Sequence, residues 1–192
     1  MELRCQIESA VPMVGYAVTC TCDNTSPSEP RPRQLDRLID LLAAAPKPAV
    51  LVIRNAGPEC LRSCFVGDML CTAIRKLGVE GVVADGGYRD KAGIERRAPG
   101  FHFFSPGPVV SHGQCAFLEF NVAVSICGLT IQPGDLLHGD ANGLLTIPLE
   151  VAESLARKAR AVYDEEAEFF RYLAGNEFSV EGLKARFCPP QS

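Results

Sequence analysis

The chain of 192 residues lacks the features that mark several large classes of protein. No apolar run approaches the roughly 20 residues that a membrane-spanning helix needs. The N-terminus has no charged segment followed by an apolar core, as a secretory signal would. The net charge is −4 and the basic pairs are short, so no broad basic surface for nucleic acid is predicted. We therefore expect a soluble, cytoplasmic protein without a membrane or nucleic-acid partner.

Nine cysteines are present, but their spacing matches no metal or disulfide pattern. The count is odd, no Cys-x2-Cys pair occurs, and the three histidines sit away from the cysteines. We expect most of them to be buried thiols in a reducing compartment. The chain also lacks a Gly-x-Gly-x-x-Gly turn, a P-loop and an obvious Ser-His-Asp or Cys-His nucleophile motif.

The order of the apolar segments predicts an α/β protein. Amphipathic helices alternate with continuous apolar strands up to about residue 107, whereas residues 108–147 contain short strand-like runs separated by glycines. A long helical tail at about 149–187 follows. At 47% hydrophobic residues the chain can build one core, so we expect a single domain over 1–192.

The most informative stretch is residues 67–90. Apolar residues with helical spacing follow Asp68, which is a good N-cap, and Gly78 supplies the stop. The apolar run 81–84 then predicts a buried strand. Because the helix and the strand have similar lengths, the chain should return to the end where the helix began.

Two carboxylates and one guanidinium should therefore meet at a helix N-terminus, namely those of Asp68, Arg89 and Asp90. Free helical N–H groups and an Arg fork both recognise a carboxylate, and Asp side chains suit a hard divalent cation. A small oxo-acid beside Mg²⁺ or Mn²⁺ is the expected occupant. The alternative is that Asp68 only caps a helix and that Arg89 and Asp90 form a solvated turn pair.

The arrangement Asp68-x20-Arg89-Asp90 resembles the signature of the RraA-like family. That family includes the 4-hydroxy-4-methyl-2-oxoglutarate/4-carboxy-4-hydroxy-2-oxoadipate aldolases and the regulators of ribonuclease E activity. Four further segments fit the family in the same order: 14–19, 78–86, 103–105 and 134–148. The resemblance implies a layered α/β sandwich of the swivelling β/β/α type, assembled as a homotrimer or a dimer of trimers.

The resemblance also implies a metal-dependent lyase that releases pyruvate from a small 2-oxo acid. The reaction would be retro-aldol cleavage of 4-hydroxy-4-methyl-2-oxoglutarate-type substrates, decarboxylation of oxaloacetate, or both. Asp90 would hold Mg²⁺ or Mn²⁺, Arg89 would pair with the substrate, and Asp68 would orient a metal-bound water for proton transfer. A neighbouring subunit would add Glu165 or Glu166. The substrate would also contact four consecutive residues: Gly67, Asp68, Met69 and Leu70.

Two departures from the family pattern stand out. Aldolase members commonly carry an acidic residue three positions after the motif's Asp, where this chain has Gly93. They usually also have a further helix before the first strand, and this chain has only the short segment 1–10 at that place. A Schiff base on Lys76 or Lys91 is an enzymatic alternative. The alternative from another class is a non-catalytic protein-interaction module of the ribonuclease E regulator type, whose partner would be a protein.

Overall fold

The computed structural model describes residues 3–7, 9–26 and 31–188. Contacts within the chain group residues 1–148 and 149–192 into two compact units. The single domain expected over residues 1–192 stays a prediction.

Twelve strands and three α-helices lie in the described part of the first unit. The strands are β1 (Arg4–Ile7), β2 (Met13–Asp23), β3 (Ala49–Asn55), β4 (Cys64–Val66), β5 (Val79–Ala84), β6 (Gly87–Tyr88), β7 (His102–Ser105), β8 (Ala116–Phe120), β9 (Val124–Ile126), β10 (Leu129–Ile131), β11 (Leu136–Asp140) and β12 (Gly143–Ile147). The helices are α1 (Leu35–Ala44), α2 (Asp68–Lys76) and α3 (Lys91–Arg97), and a 3₁₀ turn covers Cys60–Arg62.

An eight-stranded mixed sheet forms the centre of the first unit. Its strands follow the order β1, β7, β5, β3, β2, β11 and β12, with β8 also paired to β2. The four strands β2, β3, β5 and β7 are parallel, and α1 and α2 connect successive members of this group. Strand β3 is buried from Ala49 to Ile53, as expected for a parallel strand covered on both faces. The α/β class predicted from the sequence is confirmed.

The segment after residue 107 has the predicted β-rich character. Strands β11 and β12 form an antiparallel hairpin in which Asp140 is opposite Gly143. The Asp140 carboxylate accepts a hydrogen bond from the Asn142 N–H at 2.8 Å, which is the Asx-turn geometry expected at a hairpin tip. Strands β9 and β10 pair with each other as a separate ribbon.

The cysteines differ from the prediction at one pair. Cys22 on β2 and Cys115 just before β8 form a disulfide, with their Cα atoms 6.5 Å apart. The antiparallel pairing of β2 with β8 brings these residues together although 93 positions separate them, so spacing along the chain could not reveal the pair. Three other cysteines are buried thiols as expected: Cys20, Cys64 and Cys71.

The second unit consists of helices α4 (Leu149–Ala174) and α5 (Val180–Phe187). Ser179 caps α5, because its hydroxyl accepts a hydrogen bond from the Gly182 N–H at 3.0 Å. The Phe169 and Phe187 rings meet edge to face at 5.2 Å, which joins the two helices. No residue of α4 is buried, and no helix in the described ranges is long and apolar enough to cross a membrane.

Candidate active site

The start of α2 and the end of β6 meet as the sequence predicts. Strands β4 and β6 pair in parallel, and the Arg89 N–H continues this pairing with a 3.2 Å hydrogen bond to the Val66 carbonyl. A Cβ atom placed on Gly67 would lie 2.7 Å from Asp90 Oδ2 and 3.2 Å from Arg89 Nε. Glycine at position 67 therefore permits the close approach of the two motif residues to the helix N-terminus.

Asp90 has a backbone conformation that few residues adopt. Its φ and ψ are 64° and 37°, which lie in the left-handed region where Asp is tolerated better than most non-glycine residues. Asp90 occupies the N-cap position of α3, yet its side chain makes no capping hydrogen bond. The carboxylate instead lies 3.2 Å from Arg89 Nε and is 45% exposed. Its oxygens are therefore accessible to a ligand.

Arg89 is more constrained than a solvated turn residue. Its side chain is only 34% exposed, and Nη1 donates a 3.2 Å hydrogen bond to the Ser111 carbonyl. The same nitrogen lies 3.5 Å from Cys64 Sγ. Burial raises the pKa of the Cys64 thiol, which keeps it neutral near pH 7. Asp90 is the carboxylate that pairs with Arg89 in the described part of the chain, and the guanidinium remains suited to binding an anion.

The predicted capping role of Asp68 is wrong. Helix α2 begins at Asp68, its N-cap is Gly67, and no side chain caps it. The Asp68 carboxylate forms an ion pair with Arg97 on α3. Since Asp68 is the first helical residue rather than the cap, its side chain is directed away from the N–H groups of the first turn and can reach the neighbouring helix.

Position 93 explains how Arg97 reaches Asp68. A Cβ atom on Gly93 would lie 2.5 Å from Asp68 Oδ2 and 2.9 Å from Arg97 Nη1, so a side chain there would displace the ion pair. Gly93 and Arg97 are four residues apart and share one face of α3. Sequence reasoning missed Arg97, although the spacing of Gly93 and Arg97 on a short helix could have indicated it.

Asp68, Arg89 and Asp90 line a cavity of about 430 Å³, whereas Gly93 and Arg97 are not in its lining. All of the sequence-predicted contacts of this unit are in its lining: Gly67, Asp68, Met69, Leu70, Arg89 and Asp90. Arg33 and His112 also line it, and neither was predicted because each comes from a loop whose position depends on long-range packing. A neighbouring cavity of about 470 Å³ shares Arg89, Asp90 and His112 with the first.

The donor atoms fit one mode of divalent-metal binding. The described residues contain no cluster of three or more His, Cys, Asp or Glu side chains that could enclose a metal ion. Asp90 offers a carboxylate without a backbone hydrogen-bond donor, whereas Asp68 is paired with Arg97. Mg²⁺ is commonly held by one or two carboxylates together with water and substrate oxygens, and this donor set fits that mode rather than an all-protein cage.

Two lysines were considered as alternatives to a metal site. Lys76 is exposed at the C-terminal end of α2, and the Lys91 amine lies 3.8 Å from Glu95. Neither lysine is in the cavity lining, and nothing buries either amine as a Schiff-base lysine requires. Glu165 and Glu166 are exposed on α4 in the second unit, so their proposed role in a neighbouring subunit stays a prediction.

Known proteins resemble this chain across most of the first unit. The model of the RraA-like family, described as Aldolase/RraA, matches residues 2–146. A Halalkalibacterium halodurans protein named "Putative 4-hydroxy-4-methyl-2-oxoglutarate aldolase" is 27% identical over 144 residues, which cover 74% of this chain and 67% of that protein. A Pseudomonas aeruginosa protein with the same name is 33% identical over 102 residues, covering 53% of this chain and 61% of that protein.

The fold has a solved counterpart. Streptomyces coelicolor RraAS2, described as an unusual member of the RNase ES inhibitor RraA protein family, superimposes with a TM-score of 0.63. The superposition covers 88% of this chain and 80% of RraAS2 at 23% identity, which supports the fold alone. The family match spans about three quarters of the sequence and includes every motif residue of the cavity, and on that basis the chain belongs to the RraA-like family.

Proposed function

We propose that the chain is a divalent-metal-dependent lyase that cleaves a carbon–carbon bond in a 2-oxo acid and releases pyruvate. The observation that supports this most directly is the corner formed by Gly67, Arg89 and Asp90. There, a guanidinium and a carboxylate without a capping role meet the uncapped N-terminus of α2. The names of the two aldolase relatives point to the same reaction class.

The substrate carboxylate would be bound at the cationic end of the cavity. Arg89 donates to it, and the N–H groups of the first turn of α2 add further donors and the positive end of the helix dipole. Asp90 would hold the cation, as Mg²⁺ or Mn²⁺. A bound divalent cation would supply Lewis acidity at the 2-oxo oxygen.

The residues of the chain would then handle the charge and the proton. In retro-aldol cleavage the C3–C4 bond breaks and its electron pair moves to C3, while the C4 hydroxyl loses its proton. In decarboxylation of oxaloacetate the same bond breaks and CO₂ leaves. In both reactions C3 gains a proton to give pyruvate. Asp68, held by Arg97, would position the water that carries these protons, and Arg89 would stabilise the charge developing on the 2-oxo oxygen.

The proposal includes assembly as a homotrimer or a dimer of trimers, with Glu165 or Glu166 of a neighbouring copy near the metal. Helix α4 is amphipathic, but apolar residues including Val162 and Phe170 are exposed on it, as expected for a surface that associates. Light scattering should give the mass of three or six chains of 20.7 kDa. The mass of a single chain would exclude a shared site.

The test of the reaction is release of pyruvate from oxaloacetate with Mg²⁺, and its loss in EDTA. Because Mg²⁺ itself accelerates oxaloacetate decarboxylation, the control is the Asp90→Asn variant at the same Mg²⁺ concentration. Equal rates with wild type, with this variant and with no protein would exclude the decarboxylase. The same three samples with 4-hydroxy-4-methyl-2-oxoglutarate test the aldolase.

The alternative function is a non-catalytic interaction module of the ribonuclease E regulator type. The description of the matching family, Aldolase/RraA, includes this type, which predicts no pyruvate release from either substrate. It also predicts that a purified ribonuclease E-type enzyme binds the wild-type chain and the Asp90→Asn variant equally well. Turnover that depends on Asp90 would exclude a purely non-catalytic role.

A further inference from the structure

Arg33 lines the 430 Å³ cavity together with Arg89, but it comes from a different part of the chain. It lies two residues before α1, whereas Arg89 follows β6. The proposed function assigns Arg89 to the 2-oxo acid group of the substrate. Arg33 is a second permanent cation in the same lining, and the proposed reaction does not yet use it.

The guanidinium of Arg33 has no hydrogen-bond or ion-pair partner in the part of the chain that the structure describes. The arginines near it in sequence have partners. Arg31 Nη1 lies 3.4 Å from Asp23 Oδ2, and the guanidinium carbon of Arg37 lies 4.7 Å from the centre of the Phe120 ring. A guanidinium that lines a cavity without an internal partner is available to an anionic ligand.

The backbone at Arg33 is fixed against the central sheet. The Arg33 carbonyl accepts a 3.2 Å hydrogen bond from the Phe117 N–H, and the Gln34 side-chain amide donates one of 2.9 Å to the Phe117 carbonyl. Phe117 is buried and belongs to β8, which pairs with β2. These bonds hold Arg33 at the cavity before a ligand arrives, which lowers the entropic cost of binding there.

The charges of the lining favour a ligand with two carboxylates. Apart from His112, the ionisable acids and bases of the lining are two arginines and two aspartates, whose charges cancel. A divalent cation at Asp90, as in the proposed function, would leave two positive charges. A dicarboxylate would neutralise both, whereas a monocarboxylate would neutralise only one.

We propose that Arg33 binds the second carboxylate of a dicarboxylic 2-oxo acid and thereby determines which substrates the site accepts. This inference rests on the proposed function, because it takes Arg89 as the site of the 2-oxo acid group. His112 is the other basic residue of the lining, but it also lines the neighbouring 470 Å³ cavity, whereas Arg33 does not. Two arginines from separate segments would then hold both ends of the substrate.

The two candidate reactions treat the second carboxylate differently. In retro-aldol cleavage of 4-hydroxy-4-methyl-2-oxoglutarate this carboxylate is attached to C4 and keeps its charge on the second pyruvate that forms. In decarboxylation of oxaloacetate it leaves as CO₂ and loses its charge. Arg33 would therefore hold an unchanged anion throughout the first reaction, but would stabilise the ground state of the second.

The binding test uses two compounds that cannot undergo either reaction. They are 2-oxoglutarate and 2-oxopentanoate, which have the same chain length, but only 2-oxoglutarate ends in a carboxylate. Isothermal titration calorimetry with Mg²⁺ should show tighter binding of 2-oxoglutarate to wild type. Arg33→Gln should raise the Kd of 2-oxoglutarate by about 5- to 50-fold and that of 2-oxopentanoate by about twofold or less. Equal affinity of wild type for both compounds, or no binding of 2-oxoglutarate, would overturn the proposal.

Three further variants locate the effect. Arg33→Lys keeps the charge and should restore part of the affinity for 2-oxoglutarate. Arg96→Gln removes a positive charge from an exposed position on α3 outside the lining, and should leave both Kd values unchanged. Equal losses in Arg96→Gln and Arg33→Gln would indicate a general charge effect and contradict the assignment. The assignment is also wrong if His112→Gln abolishes the preference for 2-oxoglutarate while Arg33→Gln retains it.

Steady-state kinetics gives an independent readout. Arg33→Gln should raise KM for oxaloacetate by a factor similar to the change in Kd and leave kcat at the wild-type level or above it, because only the ground state loses a contact. A lower kcat with unchanged KM would show that Arg33 acts on the reacting bond instead of on the second carboxylate.

Failure of the proposed function gives a different result. A preference for 2-oxoglutarate that Arg33→Gln abolishes, in a protein that releases no pyruvate, would support the role of Arg33 while excluding the lyase. Pyruvate release that depends on Asp90, together with binding that does not depend on Arg33, would support the lyase and overturn the role of Arg33.

Discussion

Asp85 and Asp90 are five residues apart but differ in what the fold does with them. Asp85 follows β5 and is 9% exposed, and its carboxylate accepts the Asn55 N–H at 2.6 Å. Asp90 is exposed and has no backbone donor, although it occupies an N-cap position where such a bond would be easy to form. One carboxylate is used to join the ends of two strands, whereas the other is held in a left-handed conformation with its oxygens available.

The comparison distinguishes a carboxylate that the fold uses from one that is a candidate for binding a ligand. A side chain whose hydrogen bonds are satisfied by backbone contributes to stability, and its loss should be seen in unfolding. A side chain that is held in an unfavourable backbone conformation and accepts no capping hydrogen bond is a candidate for function. Substitutions at the two positions should therefore separate activity from stability.

The largest expected effect is at Asp90. Asp90→Asn should lower Mg²⁺-dependent kcat/KM for oxaloacetate by about 100-fold or more, because an amide is a poor ligand for a hard cation. Asn tolerates the left-handed conformation, so the melting temperature should stay within about 2 °C of wild type. Asp140→Asn, in the exposed hairpin turn, is the control and should keep full activity. Full Mg²⁺-dependent activity of Asp90→Asn would remove Asp90 as the metal ligand.

Arg89 should give the next largest effect. Arg89→Lys should lower kcat/KM by roughly 10- to 1,000-fold, since an ammonium cannot bind a carboxylate with two parallel hydrogen bonds. Unlike Asp90→Asn, this variant should also lose about 1 kcal/mol of unfolding free energy, because the hydrogen bond to the Ser111 carbonyl anchors a loop of the cavity. Both effects are measured on one preparation, by kinetics and by urea unfolding. Unchanged activity would contradict the role assigned to Arg89.

The sequence was sufficient to predict the central meeting point of the site. Local patterns identified α2 and β5, and their similar lengths required residues 89 and 90 to return to residues 67 and 68. The prediction was correct because each step depended on residues close together in the chain or on the lengths of a helix and a strand, which backbone geometry fixes. The α/β alternation and the β-rich segment were predictable for the same reason.

Features that depend on packing between distant segments could not be predicted. Asp68 was expected to cap α2. Its actual partner, Arg97, could not be identified from the sequence, because the two residues meet only when α3 packs beside α2. The Cys22–Cys115 pair arises from the register of β2 against β8, and Arg33 and His112 reach the cavity on loops.

Asp68 is intermediate between Asp85 and Asp90, because its carboxylate is paired with the side chain of Arg97. Substitutions of Arg97 test this case. In its ion pair with Asp68 the Arg97 side chain is half exposed, so the contribution of the pair to stability should be below about 1 kcal/mol. If Asp68 positions a water, however, Arg97→Ala should lower kcat by about 5- to 50-fold with little change in KM. Arg97→Lys should recover part of the activity, because it keeps the charge. A change in KM alone would place Arg97 in substrate binding instead.

The smallest effect is expected at Asp85 and concerns pH. Burial raises the pKa of this carboxyl, so the folded state holds the proton more tightly than the unfolded state does. The stability that this adds is fully present below about pH 4 and is lost as the pH rises through the folded-state pKa. Asp85→Asn keeps a neutral acceptor for the Asn55 N–H at every pH.

The unfolding free energy of Asp85→Asn should therefore match wild type near pH 4 and exceed it increasingly toward pH 8, which chemical denaturation at several pH values can measure. Asp140→Asn should show the opposite sign, because the Asn142 N–H lowers the pKa of Asp140 and favours its charged form. If both variants follow wild type at all pH values, the fold does not distinguish the buried carboxylate from the exposed one. The contrast between Asp85 and Asp90 would then depend only on the effect of the Asp90 substitution on activity.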